Sequence, residues 1–333
     1  MASNLKYAVF GGGSWATAIV KMLCENLDEV GWYMRSETAK EHILREQHNP
    51  NYLSSVEFNL KQLKLSNDIN EIVDYADVLV FVIPSAFIHA ELEKINIDFS
   101  KKIIVSAVKG IMPESGLGIG EHFHDIYKIP FKNICVIGGP CHAEEVAMER
   151  LSYLTIACAD SDIATEVASK LACEYIKTNI SDDIIGIEYA AMLKNIYAIA
   201  AGIAHGLGYG DNFQSILMSN AIREMKRFTK RMHKIKRNIN NSAYLGDLLV
   251  TGYSVFSRNR MFGNMIGKGY TVKSAQMEMS MVAEGYYATK SAYLLDQKNE
   301  KKSHTPIIDT VYAIRYEGKS AKKEFKKLTE LLD

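Results

Sequence analysis

Residues 7–18 most constrain what this chain can fold into. Four apolar residues lead into three consecutive glycines, and an amphipathic segment follows. This order predicts a strand, a tight turn and a helix. Gly11 allows the sharp turn, Gly13 lets a pyrophosphate approach the backbone, and the small Ala16 permits close helix–strand packing. The helix N-terminus would offer N–H groups and a positive dipole end to phosphates. The stretch therefore predicts a dinucleotide site, with a ligand-free glycine turn as the alternative.

Later apolar runs have the short, nearly continuous character of buried parallel strands. They cover residues 77–83, 103–106 and 134–137. Residues 154–157 and 174–177 are expected to be later strands, and a second strand is expected at 29–34. The first helix is expected at about 15–27, and residues 38–70 read as a helix and an irregular connection. This alternation predicts an α/β fold with a doubly wound Rossmann sheet. The pattern becomes helical near residue 188, so we expect a Rossmann domain at 1–187 and an all-helical domain at 188–333.

The residue that follows the second predicted strand bears on cofactor choice. Sites specific for NAD usually place an acid here, whereas an arginine can meet the 2′-phosphate of NADP. Arg35 stands at this position, and Glu37 lies two residues further on, where it could compete for the ribose. The sequence therefore favours NADP(H), with NAD(H) as the alternative.

Three further positions carry residues suited to chemistry. Lys109 and Gly139 follow predicted strands, at the sheet edge where open α/β folds bind ligands. A solvated loop lysine and a plain turn are the alternatives. Lys194 lies in a helical run of small and apolar residues, where a charge is costly unless it is paired. Proton transfer and snorkelling of the ammonium to the surface both remain open for Lys194.

Composition excludes several classes of function. The formal net charge of the 333 residues is zero, which gives no overall attraction to nucleic acid or membranes. The basic run at 223–237 could meet an anionic partner but is more simply a solvated face. The five cysteines form no C-x-x-C pair, which indicates reduced thiols in a cytoplasmic protein. The sequence shows no His/Cys ligand cluster, so no metal site is predicted. No apolar run reaches the roughly 20 residues that a membrane span needs.

Several motifs occur together in the order typical of one family, the bacterial NAD(P)-dependent glycerol-3-phosphate dehydrogenases, and the chain resembles that family almost end to end. The motifs are Gly11-x-Gly13-Ser14-Trp15-Ala16-Thr17, Val108-Lys109-Gly110, Gly139-Pro140-x-His142-Ala143-Glu144, Glu188-Tyr189…Leu193-Lys194-Asn195, Gly208-x-Gly210-Asp211-Asn212, Gly246-Asp247-Leu248…Thr251 and Ser257-Arg258-Asn259. Three positions depart from the usual pattern. Ala16 replaces the third glycine, Cys141 stands where the family commonly has Ser or Thr, and Gly252 stands where relatives often carry Cys.

The resemblance implies reversible reduction of dihydroxyacetone phosphate to sn-glycerol 3-phosphate, which feeds phospholipid synthesis, in a cleft between a Rossmann and a helical domain. It implies that Lys194 is the proton donor and acceptor, assisted by Lys109 and Asp247. The implied substrate residues are Lys109, Gly139, Cys141, Lys194, Asp247, Ser257, Arg258 and Asn259. The implied cofactor residues are Gly11, Gly13, Ser14, Trp15, Arg35, Lys109, Ala143, Arg258, Val282 and Glu284. A homodimer is also implied.

Two other functions remain open at this stage. A reductase of another small 2-keto or 3-hydroxy acid would need a carboxylate clamp rather than a phosphate clamp, and Ser257-Arg258-Asn259 favours the phosphate. A catalytically silent dinucleotide sensor should lack Lys194 or Lys109, and both are present.

Overall fold

A computed structural model describes residues 5–112, 115–279, 283–298 and 303–333. The chain divides into two compact units. Unit 1 comprises Met1–Val108 and Leu117–Ile184, and unit 2 comprises Lys109–Gly116 and Ile185–Asp333. The short segment around Lys109 thus groups with the C-terminal residues, although it lies between two strands of unit 1 in the sequence. The expected domains at 1–187 and 188–333 stay a prediction.

Unit 1 is built on one sheet of eight strands. They are β1 (Tyr7–Phe10), β2 (Val30–Tyr33), β3 (Leu63–Ser66), β4 (Val78–Phe81), β5 (Ile103–Ser106), β6 (Ile134–Gly138), β7 (Ser152–Cys158) and β8 (Ile176–Ser181). Their order across the sheet is β3-β2-β1-β4-β5-β6-β7-β8. The first six strands run parallel in the doubly wound order, which confirms the predicted Rossmann architecture. β7 pairs antiparallel with β6, and β8 pairs parallel with β7.

The helices of unit 1 follow the strands. They are α1 (Ser14–Cys24), α2 (Glu37–Glu46), α3 (Ile69–Tyr75), α4 (Ser85–Leu92), α5 (Ile119–Tyr127), α6 (Ala143–Ala147) and α7 (Ser161–Leu171). Ser36, Asp68 and Asp160 cap the N-termini of α2, α3 and α7, because their side-chain oxygens accept backbone N–H bonds from the first turn. The fully buried Tyr7 and Trp32 are among the largest side chains of the core.

Several details of unit 1 differ from the sequence-based expectation. The strand expected at 174–177 begins at Ile176 and continues to Ser181. α1 ends at Cys24 rather than near residue 27. β3 lies inside the stretch read as an irregular connection, and its four residues alternate leucine with Lys64 and Ser66. β3 is an edge strand of the sheet, and three of its four residues are only partly buried, so it lacks the continuous apolar run of a central strand.

From Ile185 onward, the described helices and strands of unit 2 are all helices, as predicted, whereas the described residues of its segment Lys109–Gly116 form no helix. Its helices are α8 (Ile184–Gly206), α9 (Asp211–Met232), α10 (Asp247–Tyr253), α11 (Arg258–Gly267), α12 (Val272–Glu278), α13 (Gly285–Gln297), α14 (Pro306–Tyr316) and α15 (Ala321–Thr329), and a π-helical turn at Ser242–Gly246 leads directly into α10. α8 begins at Ile184, before the expected start near Tyr189. The basic run lies partly on α9, where Lys226 and Lys230 are exposed and Phe228 is buried, the pattern of a solvated face.

Contact between α8 and α11 is made through glycines. A Cβ atom at Gly202 of α8 would collide with the carbonyl oxygen of Arg260, and one at Gly263 of α11 would collide with that of Ile199. The two backbones therefore touch without intervening side chains. α8 is also the one described helix long and apolar enough to cross a membrane, but 94% of its apolar window is buried within the protein, as in a core helix.

Candidate functional site

The glycine turn of unit 1 lies directly after β1, at the switch point where β2 and β4 flank β1. Gly11 has φ +139°, and a Cβ there would lie 2.7 Å from the carbonyl oxygen of Val82, so only glycine fits. Gly13 is the N-cap of α1, and a Cβ there would have no neighbour within 4 Å. Ser14 and Trp15 begin α1. The turn thus leaves open space beside the N-terminus of a helix, as a phosphate site requires.

Arg35 belongs to a charged cluster beyond the end of β2. The buried carboxylate of Glu91 on α4 accepts hydrogen bonds from the Tyr33 hydroxyl at 2.8 Å and from Lys94 Nζ at 2.9 Å. Nη1 of Arg35 lies 3.7 Å from Glu91 Oε1, while the Arg35 side chain stays 72% exposed. Burial alone would raise the pKa of Glu91, but the bonds from Lys94 and Tyr33 lower it below its usual value. Glu91 is therefore ionised and holds two cations.

The Gly139 turn follows β6. Gly139 has φ +116°, and a Cβ there would lie 2.7 Å from the carbonyl oxygen of Tyr153. Cys141 and Ala143 come next and are buried, and Cys141 belongs to the hydrophobic core of unit 1. Gly139 therefore has a backbone reason to be glycine.

The centre of the candidate site in unit 2 is a buried ion pair. Nζ of Lys194 on α8 donates a hydrogen bond to Oδ1 of Asp247 on α10, and both side chains are almost completely buried. The Thr251 hydroxyl lies one turn further along α10, 2.6 Å from the Asp247 carbonyl oxygen and 3.5 Å from its Oδ1. The charge of Lys194 is thus paired inside the protein, and its ammonium does not snorkel to the surface.

Lys109 shares the electrostatic environment of this pair. The pKa of Lys109 is lowered to about 8, mainly by burial and next by the positive charge of Lys194. The carboxylates of Asp247 and Glu284 oppose this shift, and Arg258 adds to it. Unit 2 therefore brings five of the predicted site residues within electrostatic reach of one another.

The remaining predicted residues of unit 2 surround the N-termini of α11 and α13. The Ser257 hydroxyl oxygen accepts the Arg260 N–H at 3.3 Å and caps α11, whose first residue is Arg258. Oδ1 of Asn259 accepts the Gly285 N–H at 2.9 Å, which fixes the backbone beside Glu284. Nδ2 of Asn195 lies 3.5 Å from Glu284 Oε2. Val282 lies outside the described residues.

Sequence reasoning missed several residues that support these groups. Thr251 and Asn195 stood in the quoted motifs but received no role. Glu91 was not singled out, because its partners Tyr33 and Arg35 lie more than 50 positions away in the sequence. An acidic residue at an otherwise apolar helix position was the only available signal. In the described parts of the chain, no three His, Cys, Asp or Glu side chains are grouped to hold a metal ion.

Comparison with known proteins gives consistent matches over both units. The sequence profile of the NAD-dependent glycerol-3-phosphate dehydrogenase N-terminus matches residues 6–164, and that of the C-terminus of the same enzymes matches residues 183–326. A protein of an Exiguobacterium species named glycerol-3-phosphate dehydrogenase (NAD(P)+) is 35% identical over 96% of this chain and 94% of its own length. The Bacillus subtilis protein of the same name is 35% identical over 94% of this chain and 90% of its own.

A solved structure extends this similarity to three dimensions. The crystal structure of glycerol-3-phosphate dehydrogenase from Coxiella burnetii superimposes with a TM-score of 0.89 at 27% sequence identity. The match covers 98% of this chain and 99% of the Coxiella chain.

Proposed function

Because the chain belongs to the NAD-dependent glycerol-3-phosphate dehydrogenase family, we propose that it reduces dihydroxyacetone phosphate to sn-glycerol 3-phosphate, reversibly, with a nicotinamide cofactor. The observation that best supports this reaction is the buried ion pair of Lys194 and Asp247, whose charges also act on the nearby Lys109. Reduction of a ketone places negative charge on its oxygen, and that charge needs a positioned proton donor.

In this proposal Lys194 gives a proton to the C2 oxygen and takes it back in the reverse reaction. Asp247 holds the ammonium in one orientation, and the Thr251 hydroxyl holds Asp247 through the bonds described above. Lys109 contributes a second positive charge, which favours the developing alkoxide as long as Lys109 is protonated. The cofactor, when bound, supplies the hydride.

The residues around α11 suit the phosphate of this substrate. Arg258 is the first residue of the ten-residue helix α11, and both its guanidinium charge and the positive dipole end of the helix favour an anion. The planar guanidinium can make two parallel hydrogen bonds to a phosphate. Ser257 and Asn259 flank Arg258, and their hydrogen bonds to Arg260 and Gly285 fix the local backbone. We assign the substrate phosphate to this group.

The residues after β1 and β2 fit a dinucleotide. The open space at Gly13 and the N-terminus of α1 would receive its pyrophosphate, beside Ser14 and Trp15. We infer a preference for NADP(H) from the charges near Arg35. Arg35, Lys94 and Glu91 together carry two positive charges and one negative charge, which leaves one positive charge for a 2′-phosphate. Glu37, the possible competitor for the ribose, is paired with Lys40 at 2.8 Å.

Several finer assignments complete the proposal. We assign Ala143, Val282, Glu284, Lys109 and Arg258 to the cofactor, and Gly139 and Cys141 to the substrate together with the groups above. We further propose a cytoplasmic homodimer that supplies glycerol phosphate for phospholipid synthesis.

The test is cofactor oxidation by the purified protein, run with NADPH and with NADH. Dihydroxyacetone phosphate should be reduced, whereas dihydroxyacetone, which lacks only the phosphate, should be a far poorer substrate. The kcat/KM with NADPH should exceed that with NADH. Faster turnover of pyruvate, a 2-keto acid without phosphate, would overturn the substrate assignment.

A further inference from the structure

The three carbonyl groups of the Gly11–Gly13 turn each accept a hydrogen bond from a different buried side chain. Nε1 of Trp32 donates to the Gly11 oxygen at 2.7 Å. Nδ2 of Asn49 donates to the Gly12 oxygen at 3.1 Å. The Thr17 hydroxyl donates to the Gly13 oxygen at 3.0 Å. All three side chains are completely buried.

These side chains come from separate parts of unit 1. Trp32 lies on β2, Thr17 lies on α1, and Asn49 lies in the connection after α2. Asn49 also donates to the Thr17 hydroxyl oxygen at 2.9 Å, so its amide uses both N–H bonds within this network. Its Oδ1 accepts the Asn51 N–H at 3.0 Å. Because every polar atom of Asn49 has a partner, its amide can adopt only one orientation here.

Fixing the carbonyl groups also fixes the N–H groups of the same turn. In a trans peptide the C=O and N–H bonds point in opposite directions. The carbonyl groups of Gly11, Gly12 and Gly13 point at Trp32, Asn49 and Thr17. The N–H groups that follow them in the chain therefore point to the opposite side. A Cβ at Gly13 would have no neighbour within 4 Å, so there is open space beside this turn.

We propose that Trp32, Asn49 and Thr17 are positioning residues that pre-organise this turn for the pyrophosphate of a dinucleotide. An anion near a peptide is repelled by its carbonyl oxygen and attracted by its N–H group. Trp32 and Asn49 hold the Gly11 and Gly12 oxygens, and the Thr17 hydroxyl adds to the helical bond that the Thr17 N–H already makes to the Gly13 oxygen at 3.0 Å. Together these bonds disfavour the repulsive orientation before the cofactor arrives. The turn then loses less conformational freedom on binding, which improves affinity without a new contact.

The inference rests on the proposed dinucleotide site, and its test separates the two. The probe is ADP-ribose, which carries the pyrophosphate and lacks the nicotinamide, measured by titration calorimetry. Thr17→Val removes the hydroxyl at nearly constant volume, and Thr17→Ser is the matched control that keeps it. Thr17→Val loses two hydrogen bonds of the network, the one to the Gly13 oxygen and the one from Asn49, and should weaken ADP-ribose binding about threefold to tenfold, with Thr17→Ser close to wild type.

Asn49→Leu and Trp32→Phe supply independent variants if Thr17→Val folds poorly. Asn49→Leu removes three hydrogen bonds, including those to the Gly12 oxygen and the Thr17 hydroxyl, and should weaken ADP-ribose binding more than Trp32→Phe, which removes one. In each variant the KM for NADPH should rise, while kcat at saturating NADPH and the KM for dihydroxyacetone phosphate stay near wild type. A merely structural role would instead lower thermal stability or kcat without a selective loss of ADP-ribose binding.

Three results of these experiments would contradict either the inference or the proposed dinucleotide site. Unchanged ADP-ribose affinity in both Thr17→Val and Asn49→Leu would overturn the inference. An equal loss in Thr17→Val and Thr17→Ser would also overturn it, because packing and not the hydroxyl would then be responsible. No ADP-ribose binding by the wild-type protein would instead contradict the proposed dinucleotide site.

Discussion

Lys194 on α8 and Asp247 at the start of α10 form a buried ion pair between residues 53 positions apart in the sequence. Burying two charges is expensive, and the pair is stabilising only if its partners remain matched. A protein gains little stability from such a pair compared with apolar side chains of the same size. Its presence in the core of unit 2 is therefore better explained by chemistry than by folding.

The matched charges make a prediction about stability. Asp247→Leu leaves the Lys194 ammonium buried without a counter-ion and should lower the free energy of unfolding by about 3–5 kcal/mol. The double variant Lys194→Met with Asp247→Leu should recover most of this loss. Unfolding of unit 2 is best followed by far-UV circular dichroism, since both tryptophans of the chain, Trp15 and Trp32, lie in unit 1. No recovery in the double variant would show that the two charges are not coupled.

The proposed role of Lys109 predicts that the rate of reduction depends on pH. Its pKa is lowered to about 8, mainly by burial and then by the charge of Lys194, so Lys109 loses its proton as the pH rises through that value. The protonated form is the one that stabilises the alkoxide, so kcat/KM for dihydroxyacetone phosphate should fall by up to about tenfold per pH unit above the pKa. A profile from about pH 6 to about pH 10 measures this. Lys109→Arg keeps its charge throughout and should abolish the fall attributed to Lys109; an unchanged profile in this variant would contradict the assignment.

Cofactor selection should respond to the charges at the end of β2. Arg35→Ala should reduce kcat/KM with NADPH by about tenfold or more, which is the scale of one lost charge-assisted hydrogen bond. The kcat/KM with NADH should stay nearly unchanged. Glu91→Gln keeps an acceptor for the Tyr33 hydroxyl but removes a negative charge, so it should improve kcat/KM with NADPH at low salt. Equal changes with both cofactors in the two variants would mean that neither residue meets the 2′-phosphate.

The glycine contact between α8 and α11 should be sensitive to single methyl groups. Gly263→Ala forces a Cβ against the backbone of Ile199 and Ile203, which cannot move aside, and should destabilise unit 2 by about 1–3 kcal/mol. Gly252→Ala is the matched control. Its Cβ would meet Sδ of Met218 at 2.7 Å, the far end of a flexible side chain, so its cost should be smaller. Thermal unfolding followed by circular dichroism compares the two, and equal losses would contradict this account of the contact.

Much of the fold could be predicted from the sequence, because its signals are local. The buried strands β4, β5 and β6 are continuous apolar runs. The turn at Gly11 is marked in the sequence by three consecutive glycines between an apolar run and an amphipathic segment. β3 was not predicted, because an edge strand with Lys64 and Ser66 lacks that apolar pattern. The reversal of β7 relative to β6 was not predicted either, since strand direction is set by the connection and not by the strand sequence.

In the candidate site, too, some features are visible in the local sequence and others exist only in the folded chain. Lys194 could be singled out because a cation in an apolar helix is conspicuous, but its pairing with Asp247 is a long-range contact that no local pattern reveals. Asn49 is the clearest case, since an asparagine before a proline reads as a turn residue. Its role at Gly12 exists only because the fold brings together residues 37 positions apart.

The central claim is that Lys194 is the proton donor of a dihydroxyacetone phosphate reductase. The most direct measurement is kcat for this substrate in Lys194→Met, compared with wild type at saturating NADPH, with ADP-ribose binding as the control for an intact unit 1. Loss of the general acid should lower kcat by about 10²–10⁴-fold while ADP-ribose binds as in wild type. Wild-type turnover in Lys194→Met would contradict the account.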